Sequence, residues 1–165
     1  MSNYRLTDEQ RSLKEAARRF AENKLRPIAL ETERKGEAMP REALKLMAEN
    51  GYVGLDIPTK YGGLGLDIMG CAVVLEELSS VWFSASTNAM SLLTGPLLVF
   101  GTDEQKQNYL PAISSGNLLT AFALTETDAG SDASSIQTFA ARDGDNWVIN
   151  GRKIYITNGA RADLI

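Results

Sequence analysis

The chain has 165 residues, 44% hydrophobic and 23% charged, with a formal net charge of −4; this is the make-up of an ordinary soluble globular protein, with room for one domain and the beginning of another. A net negative charge offers no general attraction to a phosphate backbone, so nucleic acid is not an expected partner. There is no histidine and a single cysteine, which excludes a Ser-His-Asp or Cys-His catalytic arrangement within this chain, the usual zinc sites and an intrachain disulfide framework.

The opening Met1-Ser2-Asn3-Tyr4-Arg5-Leu6 lacks the apolar core of a secretion signal. Thr7-Asp8-Glu9-Gln10 reads as a capping box. The helix behind it sets Leu13, Ala16, Ala17, Phe20 and Ala21 on one face, and Pro27 is expected to end or kink it near Arg26. A second helix begins at Pro40 and stops at Gly51, after which Asp56-Ile57-Pro58-Thr59-Lys60-Tyr61-Gly62-Gly63-Leu64-Gly65 reads as an irregular connection. Asp67 is placed to cap a third helix with Ile68, Cys71, Ala72, Leu75, Leu78 and Trp82 inward, broadened by Val73 and Val74. Cys71, in that apolar stretch, reads as a reduced core thiol. Residues 85–100 are apolar almost all round and predict a central helix kinked at Gly95-Pro96. They are too short and interrupted to span a bilayer, so no membrane span is expected. Thr102-Asp103-Glu104-Gln105 repeats the capping box and opens a last short helix.

From Leu118 the periodicity changes. Residues 118–124, 138–141, 147–149 and 153–156 read as strands, with Asp143-Gly144 and Asn150-Gly151 as two-residue hairpin turns. The fold class is therefore α+β: an all-α domain over residues 1–117, then the first antiparallel strands of a β-domain over residues 118–165. Ala162-Asp163-Leu164-Ile165 begins another apolar run, and a sheet stopping there would keep an open edge, so the expectation is a fragment of a longer protein.

Gly63-Leu64-Gly65 does not make a dinucleotide loop, because Ile68 stands where the third glycine belongs and no strand precedes it. The acidic residues Glu126, Asp128 and Asp132 around Gly130 miss the spacing of a calcium loop, and no metal site is expected. As a carboxylate pair for acid–base work they have no advantage over capping or solvated roles. The segment after Leu124 does suit an anion and heterocycle cradle. Small and hydroxyl residues (Thr125, Thr127, Ala129, Gly130, Ser131) leave backbone N–H groups open, and Gly130 permits close approach.

Phe122-Ala123-Leu124-Thr125-Glu126-Thr127-Asp128-Ala129-Gly130-Ser131-Asp132 resembles the acyl-CoA dehydrogenase signature. It follows Tyr61-Gly62-Gly63-Leu64-Gly65, Phe100-Gly101-Thr102-Asp103-Glu104-Gln105-Lys106 and Tyr109-Leu110-Pro111, as in that family, and Asn150-Gly151-Arg152-Lys153-Ile154-Tyr155-Ile156-Thr157-Asn158-Gly159 resembles its second flavin-contacting strand. The resemblance implies a helical N-terminal domain, the start of a β-barrel-like middle domain and a C-terminal helical bundle that this chain does not include. It implies FAD as cofactor, contacted by Phe122, Ala123, Leu124, Thr125, Gly130 and Ser131 and flanked by Tyr155, Ile156 and Thr157. Phe122 and Tyr155 stand where the family often has tyrosine and tryptophan; both replacements keep an aromatic face. Ser131 also matches a position near the acyl-CoA, and Met90, Leu93 and Leu97 lie on the helix that borders the acyl pocket.

The implied reaction is α,β-dehydrogenation of an acyl-CoA thioester to the 2-enoyl-CoA. A glutamate takes the α-proton, a hydride leaves the β-carbon for the flavin, and electrons pass to an electron-transferring flavoprotein. In the family the glutamate comes from the C-terminal domain, and no catalytic residue is assigned in this chain, so residues 1–165 alone are expected to be inactive. The family is usually tetrameric. A cytoplasmic place in acyl-CoA metabolism is expected, or the mitochondrial matrix for a processed form. Two other readings stay open: an acyl-CoA oxidase-like flavoenzyme and a non-catalytic truncated helical binding module.

Overall fold

A computed structural model describes residues 5–165; the Met1-Ser2-Asn3-Tyr4 part of the opening run lies outside the described residues. The chain forms two compact units, Met1–Leu118 and Leu119–Ile165, the first helical and the second built on an antiparallel hairpin, as the α+β expectation requires.

In the first unit, α1 (Asp8–Phe20) opens with the expected capping box: the Thr7 hydroxyl accepts from the Gln10 amide at 3.1 Å and the Gln10 side chain accepts from the Thr7 amide at 3.0 Å. Pro27 does not end the helical run. A π turn (Ala21–Leu25) intervenes, in which the Arg26 amide bonds to the Ala21 carbonyl, and α2 (Arg26–Lys35) carries Pro27 in its first turn. The wider turn displaces the carbonyl with which the proline ring would collide, and a first-turn proline needs no hydrogen bond of its own. Pro40 is the N-cap of α3 (Arg41–Glu49).

The helix α4 (Ile68–Val81) is capped by Asp67, whose carboxylate accepts from the Gly70 amide at 2.7 Å. Its inner face keeps Cys71, Val73, Val74, Leu78 and Trp82 as expected and departs from the sequence reading at Ile68 and Ala72. Gly70, Cys71, Val73, Val74, Glu77 and Leu78 are buried, whereas Ile68 is 90% exposed and Ala72 faces outward. The cause is Glu77, a polar residue turned into the α1–α4 interface. Arg18 on α1 donates to it through Nε at 2.8 Å and Nη2 at 3.0 Å, and Lys14 lies 3.5 Å away. Arg18 first, then Lys14, hold the Glu77 carboxyl below its ordinary pKa. A buried carboxylate met by a guanidinium fork rotates the helix away from its most apolar stripe.

Residues 85–100 are not one central helix. They divide into α5 (Phe83–Ala89) and α6 (Thr94–Phe100), and Leu92, Val99 and Phe100 are exposed. The break falls at Met90–Leu93 rather than at Gly95-Pro96, because the Gly54 amide takes the Ala89 carbonyl at 2.9 Å and the Thr94 hydroxyl takes that of Ser91 at 2.5 Å. The Gly63-Leu64-Gly65 connector folds back on the loop before it: the Leu66 amide donates to Leu55 and the Gly65 amide to Ile57, at 2.8 and 2.9 Å. Ile57 and Tyr61 meet Leu110 and Ile113 of α7 (Asp103–Ser114), with Leu97, Leu98 and Leu118 packed around them. Thr102 and Gln105 form the second capping box as expected.

In the second unit only β1 (Phe139–Asp143) and β2 (Asn146–Asn150) form a ladder, in register Phe139↔Asn150 to Asp143↔Asn146. The turn is Gly144-Asp145, one residue on from the expected pair, with Gly144 at φ 59 in the first central position, where a two-residue turn of this hand requires it. Residues 118–124 join no ladder, with Thr120 in a parallel bridge to Leu164, and 153–156 form no strand. Asn150-Gly151 is therefore not a hairpin: the following segment leaves β2, and the Ile154 amide donates to the Thr125 carbonyl at 2.9 Å.

The two readings of α4 separate experimentally. Leu78→Ala empties a fully buried site and is expected to cost about 2–5 kcal/mol in chemical denaturation. Ile68→Ala, on the exposed face, is expected to stay within about 0.5 kcal/mol. Comparable losses for both would restore the apolar stripe as the inner face.

Candidate functional site

The second unit draws together the two runs that the sequence singles out. Lys153 reaches the signature run: its Nζ donates to the Leu124 carbonyl at 2.8 Å and to Glu126 Oε1 at 2.8 Å, beside the Ile154–Thr125 bond. Upstream, the Ala121 amide donates to the Leu164 carbonyl at 2.9 Å. Residues 122–124 are thus suspended between two anchors. Between and beside those anchors, the amides of Phe122, Ala123, Leu124 and Thr125 donate to no acceptor among the described residues. Extended backbone with unpaired donors is what a heterocycle edge or a phosphate needs.

Phe122 and Leu124 are 36% and 41% exposed, Ala123 and Thr125 are half-buried. The next turn is closed by Glu126 and Ala129, whose amides and carbonyls pair reciprocally at 3.0 and 3.3 Å. Beyond it Gly130 and Ser131 are exposed. A Cβ at Gly130 would meet nothing within 4 Å, so the backbone there is open to approach. Small residue, open amides and free hydroxyls fit a dinucleotide cofactor of the FAD type.

Tyr155, Ile156 and Thr157 follow directly on the Lys153–Ile154 anchor, but not as a strand. Tyr155 has φ 56 and is 91% exposed, and residues 157–161 form a turn closed by amides of Gly159 and Arg161 on the Ile156 and Asn158 carbonyls. An aromatic residue at positive φ is uncommon and costly. Met90, Leu93 and Leu97 belong to the first unit. Met90 is 39% exposed, Leu93 is half-buried just before α6, and Leu97 packs on the Ile57–Leu110 cluster.

Sequence reasoning passed over Thr138 and Lys153, and weighed Glu126 only as a calcium-loop or acid–base carboxylate. Glu126 is only 8% exposed. Besides Lys153, it accepts from the Gln137 amide at 2.7 Å, from the Thr138 amide at 3.0 Å and from the Thr138 hydroxyl. Lys153 first, then the Thr138 hydroxyl and the Gln137 amide, hold its carboxyl at about 2, against an ordinary value of 4.5. A carboxylate so engaged is a poor general base. Asp132 is likewise held below its ordinary pKa, by Ser134 and Ser135, and caps a 3-10 turn (Ala133–Ser135). An open depression of about 290 Å³ beside Glu126 is lined by Thr127, Thr138, Phe139, Asn150 and Arg152 among others. Among the described residues no cluster suits a metal ion and no helix is long and apolar enough to cross a membrane.

Residues 7–117 match the family of acyl-CoA dehydrogenase N-terminal domains and residues 121–165 that of acyl-CoA dehydrogenase middle domains. The chain is 41% identical to a short-chain-specific acyl-CoA dehydrogenase of Clostridium acetobutylicum, over 98% of this chain and 43% of the relative. It is also 41% identical to a 3-(aryl)acrylate reductase of Clostridium sporogenes, over 96% and 43%. Among solved structures, an acyl-CoA dehydrogenase of Bacillus anthracis complexed with FAD superposes with a TM-score of 0.87 at 32% identity, covering 100% of this chain and 29% of that one. The chain therefore spans less than half the length of the curated relatives it matches.

The Glu126 network has a pH signature. Because the folded-state pKa is depressed, its stabilisation is fully present above about 4.5 and is lost as the pH falls through about 2. Amide exchange at Thr138 and Ile154 is expected to accelerate across that window, and Glu126→Gln is expected to flatten the dependence. Equal acid sensitivity in the variant would contradict the assignment.

Proposed function

The chain belongs to the acyl-CoA dehydrogenase family, and on that premise we propose that it serves FAD-dependent α,β-dehydrogenation of an acyl-CoA thioester to the 2-enoyl-CoA. The observation that carries this reading is the row of open amides from Phe122 to Thr125, strung between anchors at Ala121 and Lys153–Ile154. FAD, when bound, supplies the hydride acceptor.

This chain's own residues do the holding. The amides of residues 122–125 and the Thr125 hydroxyl would hold the flavin, and Ser131 with the backbone at Gly130 would hold the pyrophosphate and the thioester side. Tyr155, Ile156 and Thr157 would flank the cofactor from its other side. Met90, Leu93 and Leu97 border the acyl chain. The α-proton goes to a carboxylate outside this chain, in keeping with the engagement of Glu126 and Asp132 by their own donors. Electrons leave to an electron-transferring flavoprotein, from a cytoplasmic homotetramer. The likeness to a 3-(aryl)acrylate reductase favours a second reading, the same cradle working in the reductive direction.

Full-length protein carrying this chain is expected to purify yellow and to bleach when acyl-CoA is added anaerobically, with 2-enoyl-CoA as product. Bleaching only by an artificial reductant, followed by reoxidation with an enoyl substrate, would favour the reductive reading; a colourless protein that cannot be reconstituted with FAD would overturn both. Thr157→Ala is expected to retain FAD, since one hydrogen bond is worth about 0.5–1.5 kcal/mol, and to slow flavin reduction by substrate.

Leu93→Ala is expected to shift preference toward bulkier acyl groups. Leu97→Ala is expected to do so with a loss of stability, since Leu97 also packs on the Ile57–Leu110 cluster. An unchanged profile in folded Leu93→Ala would remove this position from the pocket.

A further inference from the structure

Lys153 and Glu126 stand outside every role considered so far, yet they join three stretches of chain distant in sequence. Lys153 Nζ is shared between the Leu124 carbonyl and Glu126 Oε1, each at 2.8 Å. Glu126 in turn gathers the amides of Gln137 and Thr138, at the entry to β1, together with the Thr138 hydroxyl. The next residue on each side repeats the contact, as the Ile154 amide donates to the Thr125 carbonyl at 2.9 Å. Glu126 is 4-coordinated by protein donors, and its side chain is 8% exposed against 22% for Lys153.

The surroundings make this pair more than a local tie. The stretch 122–124 makes no ladder with a strand among the described residues. Its course is fixed at its ends: by the Ala121–Leu164 bond before it, and by Lys153 and Ile154 after it. Only Phe122 and Ala123 lie between the bonded Ala121 amide and the Leu124 carbonyl that Lys153 holds, so the stretch has little slack. Releasing the Lys153 end lets the Leu124 peptide rotate and turns the open amides of 122–125 out of line. The Lys153 contact also sets where the chain enters Tyr155, two residues on.

We infer that Lys153, locked by Glu126, is a positioning residue for the cofactor: it fixes the separation and orientation of the signature run and of the segment from Tyr155 to Thr157, without itself needing to touch the flavin. The inference rests on the FAD reading proposed above. Lysine suits the task because one ammonium offers donors in several directions, to a carboxylate and a carbonyl at once. Arginine can keep the charge and the carboxylate bond while meeting the Leu124 carbonyl in a different geometry. Methionine keeps the stem and removes every donor, leaving Glu126 buried without its cation.

The test uses full-length protein carrying Lys153→Met, Lys153→Arg or Glu126→Gln, and reads FAD dissociation, the visible circular dichroism of the bound flavin and the thermal midpoint at saturating FAD. Expected for Lys153→Met are FAD binding weaker by about tenfold or more, a step of about 1.4 kcal/mol, and an altered flavin dichroism, with partial rescue of both by Lys153→Arg. Glu126→Gln is expected to fall between, since its amide oxygen still accepts from Lys153. Where Lys153→Met does not fold, the dichroism of Lys153→Arg and Glu126→Gln decides. Folded variants with wild-type FAD affinity and wild-type flavin dichroism would overturn the positioning role. A wild-type protein that binds no FAD would instead overturn the cofactor reading on which it stands.

Discussion

A carboxylate buried to the extent of Glu126 must be met by donors or give up its charge, and the second unit is arranged around meeting it. The donors come from Gln137 and Thr138, just before β1, and from Lys153. Supplying them forces those stretches into one place, and this brings the two candidate cofactor segments side by side. Hairpin, turn and suspended backbone can each be formed locally, but their mutual register depends on this group.

The first unit obeys the same constraint with another outcome. Glu77 is almost fully buried and is answered by the Arg18 fork and by Lys14. There the charge sets how one helix is rotated against another. In the second unit it sets the path of irregular backbone. In neither place is the carboxylate available for proton transfer, since its lone pairs are occupied and its affinity for a proton is lowered.

Local features were legible in the sequence and non-local ones were not. The capping boxes at Thr7 and Thr102 and the Asp67 cap depend on residues three apart, so their chemistry is visible in a short window. The hairpin was visible from its glycine, though its register was not, because Asp143-Gly144 and Gly144-Asp145 are both acceptable turn pairs until the strands choose. Ile68 read as core because periodicity counts apolar residues, and nothing local announces that Glu77 will be drawn inward by Arg18, 59 positions away. The helix break at Met90–Leu93 is likewise imposed from outside, by the Gly54 amide. The signature run was legible as a pattern. Glu126 was seen as a member of it and as a turn carboxylate but not as an anchor, since its partner Lys153 lies 27 positions on, within the other motif.

The π turn after α1 carries a consequence for the phase of the buried stripe. Ala17, Ala21, Leu25 and Ala29 are all essentially buried, a strict repeat of four residues. On an unbroken α-helix each such step overshoots a full turn by about 40°, so the stripe would wind steadily around the rod and leave the interface. The wide turn over Ala21–Leu25 rotates less per residue and takes back much of that drift. It works as a vernier, letting two helices of ordinary pitch present one continuous seam on either side of a proline.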